Sequence, residues 1–455
     1  QPAAERVLPT LNVDGTRRWL RPRLSNGRFL RRRRVVAGGL IGLFAALPHL
    51  RVGGAPAVLL DVVHRRFTLL GTTFHPTDTV LLMLLLVGIF LGIFLLTAVA
   101  GRVWCGWACP QTIYMEFVYR PIERLVERGA SAVTRHAAWR RAVKAGAYLA
   151  VSMALAHTFL AYFVGVEALA RWIRSSPAEH PLAFAVMAAT TALMFLDFAY
   201  FREQVCMVAC PYGRLQSVLL DRHSLIVAYD TRRGEPRGKP GHTTGDCIDC
   251  GACVATCPTG IDIRDGLQME CVHCTQCIDA CDAIMDRLGR PRGLVRYGSR
   301  DDMAGAPRRL LRPRTVLYPA LIAAVWGALA WGLAHRPAAE VTVLRGAGTP
   351  FAVLVSGEVS NQIRIKIENR GREERRYRLG LVEPTGLRLI APENPLVVAG
   401  GHQATTTVFV IADRAGFERG ERAVSFQIAD GAGFELRAAY RLLGPTDAAA
   451  AGDRR

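Results

Sequence analysis

The sequence has no cysteine outside four short motifs, no Gly-x-Gly-x-x-Gly run, no P-loop and no Cys-x-x-Cys-His signature. The missing glycine-rich fingerprints leave no nucleotide cofactor indicated, and the last absence leaves no c-type haem. Apolar stretches hold no paired histidines, which a dihaem quinol cytochrome would need. Acidic residues are few, 38 against 57 Lys and Arg, for a net charge of +19. That balance alone would suit a nucleic-acid binder. A soluble one would lack long apolar runs, however, and this chain is 51% hydrophobic with a positive mean hydropathy. The reading is a membrane protein with no nucleic-acid partner.

The cysteines come in two kinds of repeat. One kind is Cys247-x2-Cys250-x2-Cys253-x3-Cys257-Pro258, followed by Cys271-x2-Cys274-x2-Cys277-x3-Cys281. Tandem runs of this spacing are the ligand pattern of bacterial two-cluster ferredoxins, in which the fourth thiolate crosses to the other cluster. That rule assigns Cys247, Cys250, Cys253 and Cys281 to one [4Fe–4S] cluster. Cys271, Cys274, Cys277 and Cys257 then hold the second. Zinc ribbons also use Cys-x2-Cys pairs, but they join two separated pairs rather than runs of four. Gly251 and the Cys257-Pro258 step favour iron–sulfur further. Cys281 is followed by Asp282 where the first run has proline.

The other repeat is Cys105-Gly106-Trp107-Ala108-Cys109-Pro110 and Cys206-Met207-Val208-Ala209-Cys210-Pro211. Proline suits a first helical position, so Cys109 and Cys210 are expected at helix N-caps, where the helix lowers a thiol pKa. Four-residue spacing sets both sulfurs of a pair on one face if the backbone is helical. Such thiolates would be nucleophilic and good ligands for a soft metal such as copper. The alternative is inert buried cysteine. Copper, an extra iron centre and a redox disulfide all fit the spacing.

Five segments read as spanning helices, at 35–50, 79–100, 145–166, 181–201 and 315–334, the first short and uncertain at its far end. Arg31 to Arg34 precede the first and place residues 1–34 in the cytoplasm by the positive-inside rule. Arg102, Arg120, Arg124, Arg128, Arg140, Arg141 and Lys144 follow the second span, and Arg308, Arg309, Arg312 and Arg314 precede the fifth. Sides then alternate. The first four spans and both short motifs occupy 35–220, and a cytoplasmic two-cluster ferredoxin-like domain occupies 221–300. A basic linker and the fifth span occupy 301–335, and a periplasmic domain occupies 336–445. All twelve cysteines fall in the reducing compartment, and the exported domain needs no disulfides. His157 and Asp197, ionisable groups within spans, are candidates for a proton or quinone path. The plain alternatives are a helix-bonded histidine and a water-facing aspartate. The chain opens on Gln1 rather than Met, with the expectation that a short piece precedes it, and no cleavable signal pattern is visible.

Beyond residue 340 the pattern changes to alternating runs at Phe351–Val355, Gln362–Glu368, Tyr377–Val382, Thr405–Ile411, Val424–Ile428 and Glu435–Leu443. Gly357, Asn369, Gly371, Asn394, Gly400, Gly401, Gly431 and Gly433 punctuate them. This spacing predicts an antiparallel β-sandwich of immunoglobulin type. His402 is its one candidate ligand and reads as a surface residue, so the domain reads as an interaction module. The tail at 446–455 is expected to be disordered.

The order of elements resembles the cytochrome c oxidase accessory proteins called CcoG, FixG or RdxA. The matching stretches are Gly101-Arg102-Val103-Trp104-Cys105-Gly106 through Cys109-Pro110-Gln111-Thr112, Arg202-Glu203-Gln204-Val205-Cys206, Cys210-Pro211-Tyr212 and Gly245-Asp246-Cys247-Ile248-Asp249-Cys250. Gly260-Ile261-Asp262-Ile263-Arg264 and Pro291-Arg292-Gly293-Leu294 also match, and the likeness covers about residues 28–445. The resemblance implies an inner-membrane protein that matures a cbb3-type oxidase by reducing Cu(II) to Cu(I). It further implies partnership with copper chaperones and oxidase assembly factors. In that role Cys105, Cys109, Cys206 and Cys210 form the catalytic, copper-holding set. The electron donor is a cytoplasmic protein or quinol. A different class of reading is a quinol-oxidising polyferredoxin that feeds a partner reductase, and a third is a structural scaffold, which leaves eight cluster ligands unexplained.

Overall fold

The computed structural model of the chain describes residues 9–12, 14, 16–129, 137–238, 245–306, 311–383 and 386–446. The tail from 447 onward, where disorder was expected, lies outside them. Two compact units divide near Ala330.

In the first unit, apolar content sets the helices. Thr79–Ala100 carries no charged residue and, with the turn before it, forms a span with mean hydropathy 3.0. Ala138–Val164, Pro181–Phe201 and Pro313–Ala334 are also long and apolar enough to cross a membrane. These four match the second to fifth expected spans. The first expected span lies on a helix outside these four. That helix begins at Arg28, ends at Ala46 and continues as a short turn to His49. Arg28 and Arg31 to Arg34 occupy its opening turns, with Arg33 buried, and at its other end the Phe44 carbonyl oxygen accepts from Tyr162 Oη at 2.7 Å, near the end of Ala138–Val164. Short antiparallel strands follow, Val58–Asp61 pairing Arg66–Leu69, and that in turn pairing Thr72–Phe74.

The ferredoxin-like part packs at one end of these helices, where Ser224 Oγ donates to the Ala98 carbonyl oxygen at 3.0 Å. Ile226–Tyr229 pairs antiparallel with Val295–Gly298, and Gln276–Arg287 forms its longest helix. Ile261, Ile263, Ile278, Met285, Leu294 and Val295 make its core. Asp279 on that helix accepts hydrogen bonds from the backbone N–H of Phe29 and Leu30, at 3.1 and 2.8 Å. It thereby satisfies orphan donors at the start of the Arg28–Ala46 helix. Asp282, the residue in place of proline, is likewise structural. It accepts from the Gly293 N–H at 3.0 Å and lies 3.6 Å from the Arg28 guanidinium.

The second unit contains two antiparallel sheets. One runs Leu387–Ile390, Gln403–Ala412, Val359–Asn369, Ala339–Arg345, with the two-residue strand Ala352–Val353 beside Val359–Asn369. The other runs Leu396–Val398, Arg375–Glu383, Glu421–Ala429, Glu435–Leu443. Alternation drives the fold: Ile363, Ile365 and Ile367 are fully buried while Arg364 between them is exposed. The run at 351–355 shrinks to Ala352–Val353 because neighbouring positions make no ladder. Ala339–Arg345, Leu387–Ile390 and Leu396–Val398 are strands that the sequence reading missed. His402 is exposed, its Nδ1 2.8 Å from the Gly400 carbonyl oxygen.

Candidate functional site

The tandem runs wrap two cavities. One is lined by Cys247, Cys250, Cys253 and Cys281 with Ile284, Met285 and Leu294. The other is lined by Cys257, Cys271, Cys274 and Cys277, with Cys253 also on its wall. Each cavity thus gathers three cysteines of one run and the fourth of the other. Soft sulfur donors around an apolar hollow fit an iron–sulfur cluster. Backbone geometry repeats with the sequence: Asp249 and His273 have φ 51° and 54°, and Gly251 and Thr275 have φ 65° and 63°. These left-handed turns fold each run back around its cavity. Burial pushes the thiols of Cys253, Cys271, Cys274 and Cys281 up to about 12. Metal must therefore displace their protons, and binding would release them.

The two short motifs also repeat in three dimensions. Cys109 is the N-cap of Pro110–Tyr114, and Cys210 is the N-cap of Pro211–Leu219. Four residues before the first cysteine of each, Gly101 and Arg202 end a long helix with φ 60° and 54°. Neither pair lies on one continuous α-helix, because Cys109 is extended and Val205–Ala209 is a π turn. The four thiols nevertheless converge, close enough that each raised group feels neighbouring cysteines. The lowering expected at Cys109 is corrected. Burial raises Cys105 and Cys109 above the ordinary thiol value and takes Cys206 to about 12. Hydrogen bonds to the backbone N–H of Thr112 and Gln111 pull Cys109 down, but burial outweighs them. At Cys105 the Arg102 guanidinium opposes burial in the same way.

The two kinds of centre meet. Cys105 packs with Val272 and Cys274 of the second run, and Cys206 and Tyr212 press against that cluster of side chains. Gly106 faces the Val272 and His273 carbonyl oxygens so closely that a Cβ there would stand 2.6 Å from both. Arg33 Nε donates to the Gly106 carbonyl oxygen at 2.9 Å. Cys105 Sγ donates to Gln216 Oε1 at 3.0 Å, and the Gln216 amide donates to Thr97 and Tyr212. A small hollow beside Cys206 is lined by Glu116, Arg120, Arg202, Glu203, Pro258 and Val272. Arg120 pairs with Glu116 and Glu203, while Arg202 Nη2 lies 2.9 Å from Glu123. These charges are buried in mutual pairs, which satisfies them away from water.

Asp197 joins this neighbourhood, accepting from Gln111 Nε2 at 2.8 Å, and its charge is felt at Cys206. His157 is separate. Its Nδ1 lies 2.8 Å from the Met153 carbonyl oxygen on the same helix. The sequence reading missed Arg33, Arg102, Gln216, His273 and the buried ion pairs. Arg102 and Arg120 counted there only as charges that orient the chain. Nothing in a one-dimensional pattern distinguishes a buried arginine from a membrane-flanking one.

Comparison with known proteins agrees with this architecture. The family described as "4Fe-4S dicluster domain" matches residues 201–300, and "4Fe-4S binding domain" matches 82–129. The description "IG-like fold at C-terminal of FixG" matches 329–445. Protein RdxA of Cereibacter sphaeroides is 39% identical over 390 residues, 81% of this chain and 83% of that one. Protein RdxB of the same organism is 34% identical, covering 86% and 88%. Nitrogen fixation protein FixG of Rhizobium meliloti is 34% identical, covering 79% and 78%. With its iron–sulfur domains, apolar helices and terminal sandwich, the chain belongs to the FixG/RdxA family of iron–sulfur electron-transfer proteins.

Proposed function

We propose that the protein is a membrane-bound cupric reductase that supplies Cu(I) for loading the copper centre of a cbb3-type oxidase. Cys247, Cys250, Cys253 and Cys281 hold one [4Fe–4S] cluster, and Cys271, Cys274, Cys277 and Cys257 hold the second. When bound, these clusters store single electrons at potentials that their surroundings set. Cys105, Cys109, Cys206 and Cys210 bind the substrate ion. Each Cu(II) takes one electron and becomes Cu(I), which soft thiolates favour. The observation that carries the reading is that Cys105 and the cluster ligand Cys274 belong to one buried group with Val272. A cluster ligand and a thiolate within one packed group give an electron a short path. Arg102 beside Cys105 offsets thiolate charge, and the low-exposure wall of Val272 and Tyr212 keeps water from the ion. The cytoplasmic side holds both centres, and the sandwich faces the periplasm, where copper chaperones and assembly factors would dock.

Dithionite-reduced protein, mixed with Cu(II) and a Cu(I)-specific chelator, should yield Cu(I) as its clusters oxidise. Replacing Cys105, Cys109, Cys206 and Cys210 together should keep the clusters yet abolish tight copper binding and slow the transfer. A quadruple variant as fast as wild type sinks the thiolate site. Rapid oxidation of a quinol analogue with copper ignored, lost on changing His157 or Asp197, would instead favour the polyferredoxin role.

A further inference from the structure

We propose that His273 donates its Nε2–H to a sulfur of the second cluster, raising that cluster's reduction potential. This rests on the iron–sulfur reading above. His273 and Asp249 occupy equivalent places in the two runs, each just before the second cysteine and each left-handed. Their side chains meet opposite fates. Asp249 turns outward, 58% exposed, and pairs with Arg264. His273 is 0% exposed and belongs to the wall of the second cavity.

Its ring is held in one tautomer. Nδ1 accepts the backbone N–H of Arg102 at 3.2 Å, so the ring proton of the neutral imidazole sits on Nε2. Nε2 has no hydrogen-bond partner among the described residues. A buried N–H without an acceptor is strongly disfavoured, and an acceptor absent from the protein atoms resolves it. A cluster sulfur in the second cavity, whose wall His273 helps to form, would be that acceptor. The reduced cluster carries one more electron and no extra proton, so a donor aimed at its sulfur favours reduction. The matching position of the first run, Asp249, carries no N–H donor and pairs with Arg264, which lines the first cavity. The second cluster lies beside the thiolate motif, its ligand Cys274 sharing one buried group with Cys105 and Val272.

The test uses the full-length protein, purified anaerobically. Potentiometric titration followed by EPR should resolve two one-electron steps. His273→Phe should lower one step only, with roughly tenfold less reduced second cluster at fixed potential, or about 59 mV for one electron. His273→Gln, which restores an N–H, should recover much of the shift at unchanged iron content. In reduced wild type with 15N-labelled histidine, pulsed EPR should show one histidine nitrogen coupled to a cluster. Two intact clusters with no histidine coupling, or a Phe variant with both potentials unmoved, would overturn the inference. Should the Phe variant lose iron, the wild-type coupling still decides it. Absence of any iron–sulfur signal would instead overturn the reading on which it rests.

Discussion

Gly106→Ala tests the contact between the thiolate motif and the second cluster loop. The new Cβ would lie 2.6 Å from the carbonyl oxygens of Val272 and His273, where ordinary contact begins at 3.4 Å. Both obstacles are backbone, so no rotamer change relieves them, and the loop must retreat by most of an ångström. Gly106 cannot yield instead, because its carbonyl is tied to the buried Arg33 guanidinium. Overpacking of this kind costs about 1–3 kcal/mol. For a unit of this size the melting midpoint should fall by about 2–10 °C. Because the site of strain lies on the Cys274 loop, oxidation of the second cluster by Cu(II) should also slow, with iron content nearly kept. Thermal unfolding in detergent and stopped-flow absorbance would read the two effects. Gly92→Ala is the control, since a Cβ there meets nothing within 4 Å. If Gly106→Ala matches wild type in both midpoint and rate, the close approach does not exist and the proposed electron path fails with it.

Purified protein should carry about eight irons as two clusters, and Cys250→Ser or Cys274→Ser should each lose roughly half. Stoichiometric zinc without brown absorbance would refute the ferredoxin assignment. A reporter that fluoresces only in the cytoplasm should light up after Leu288 and stay dark after Gly444; the opposite pattern would invert the charge argument. Burial pushes the Glu123 carboxyl up, but Arg202, with Lys144 and Arg21, outweighs it and holds the group below the ordinary carboxylate range. Its stabilisation is therefore present above the unfolded value of about 4.3 and is lost as pH falls through the folded one. Glu123→Gln should be less stable than wild type at neutral pH, and the gap should close below about pH 4; a gap independent of pH would show that the ion pair contributes nothing.

Local chemistry made much of this protein legible in one dimension. Cysteine spacing within a run is a property of a few adjacent residues, and so is a proline after a helix-capping cysteine. Uninterrupted apolar runs likewise announced the four long helices, and alternation announced most strands of the sandwich. Where charge mixes with apolar residues the pattern says less: the run at 35–50 read as a span, but not that its helix starts at Arg28 with arginines that serve the ferredoxin core and the thiolate motif. The pKa of Cys109 shows the same limit, since capping is local and lowers it while burial is tertiary and wins. Only the folded chain decided that Arg102, Arg120 and Arg202 lie buried among partners rather than at a membrane surface. Only it set Asp249 in water and His273 in the protein at the same point of a repeat. Contacts such as Gly106 on Val272 join residues far apart in sequence, and no periodicity encodes them, because burial and electrostatic environment belong to neighbours that the chain acquires on folding.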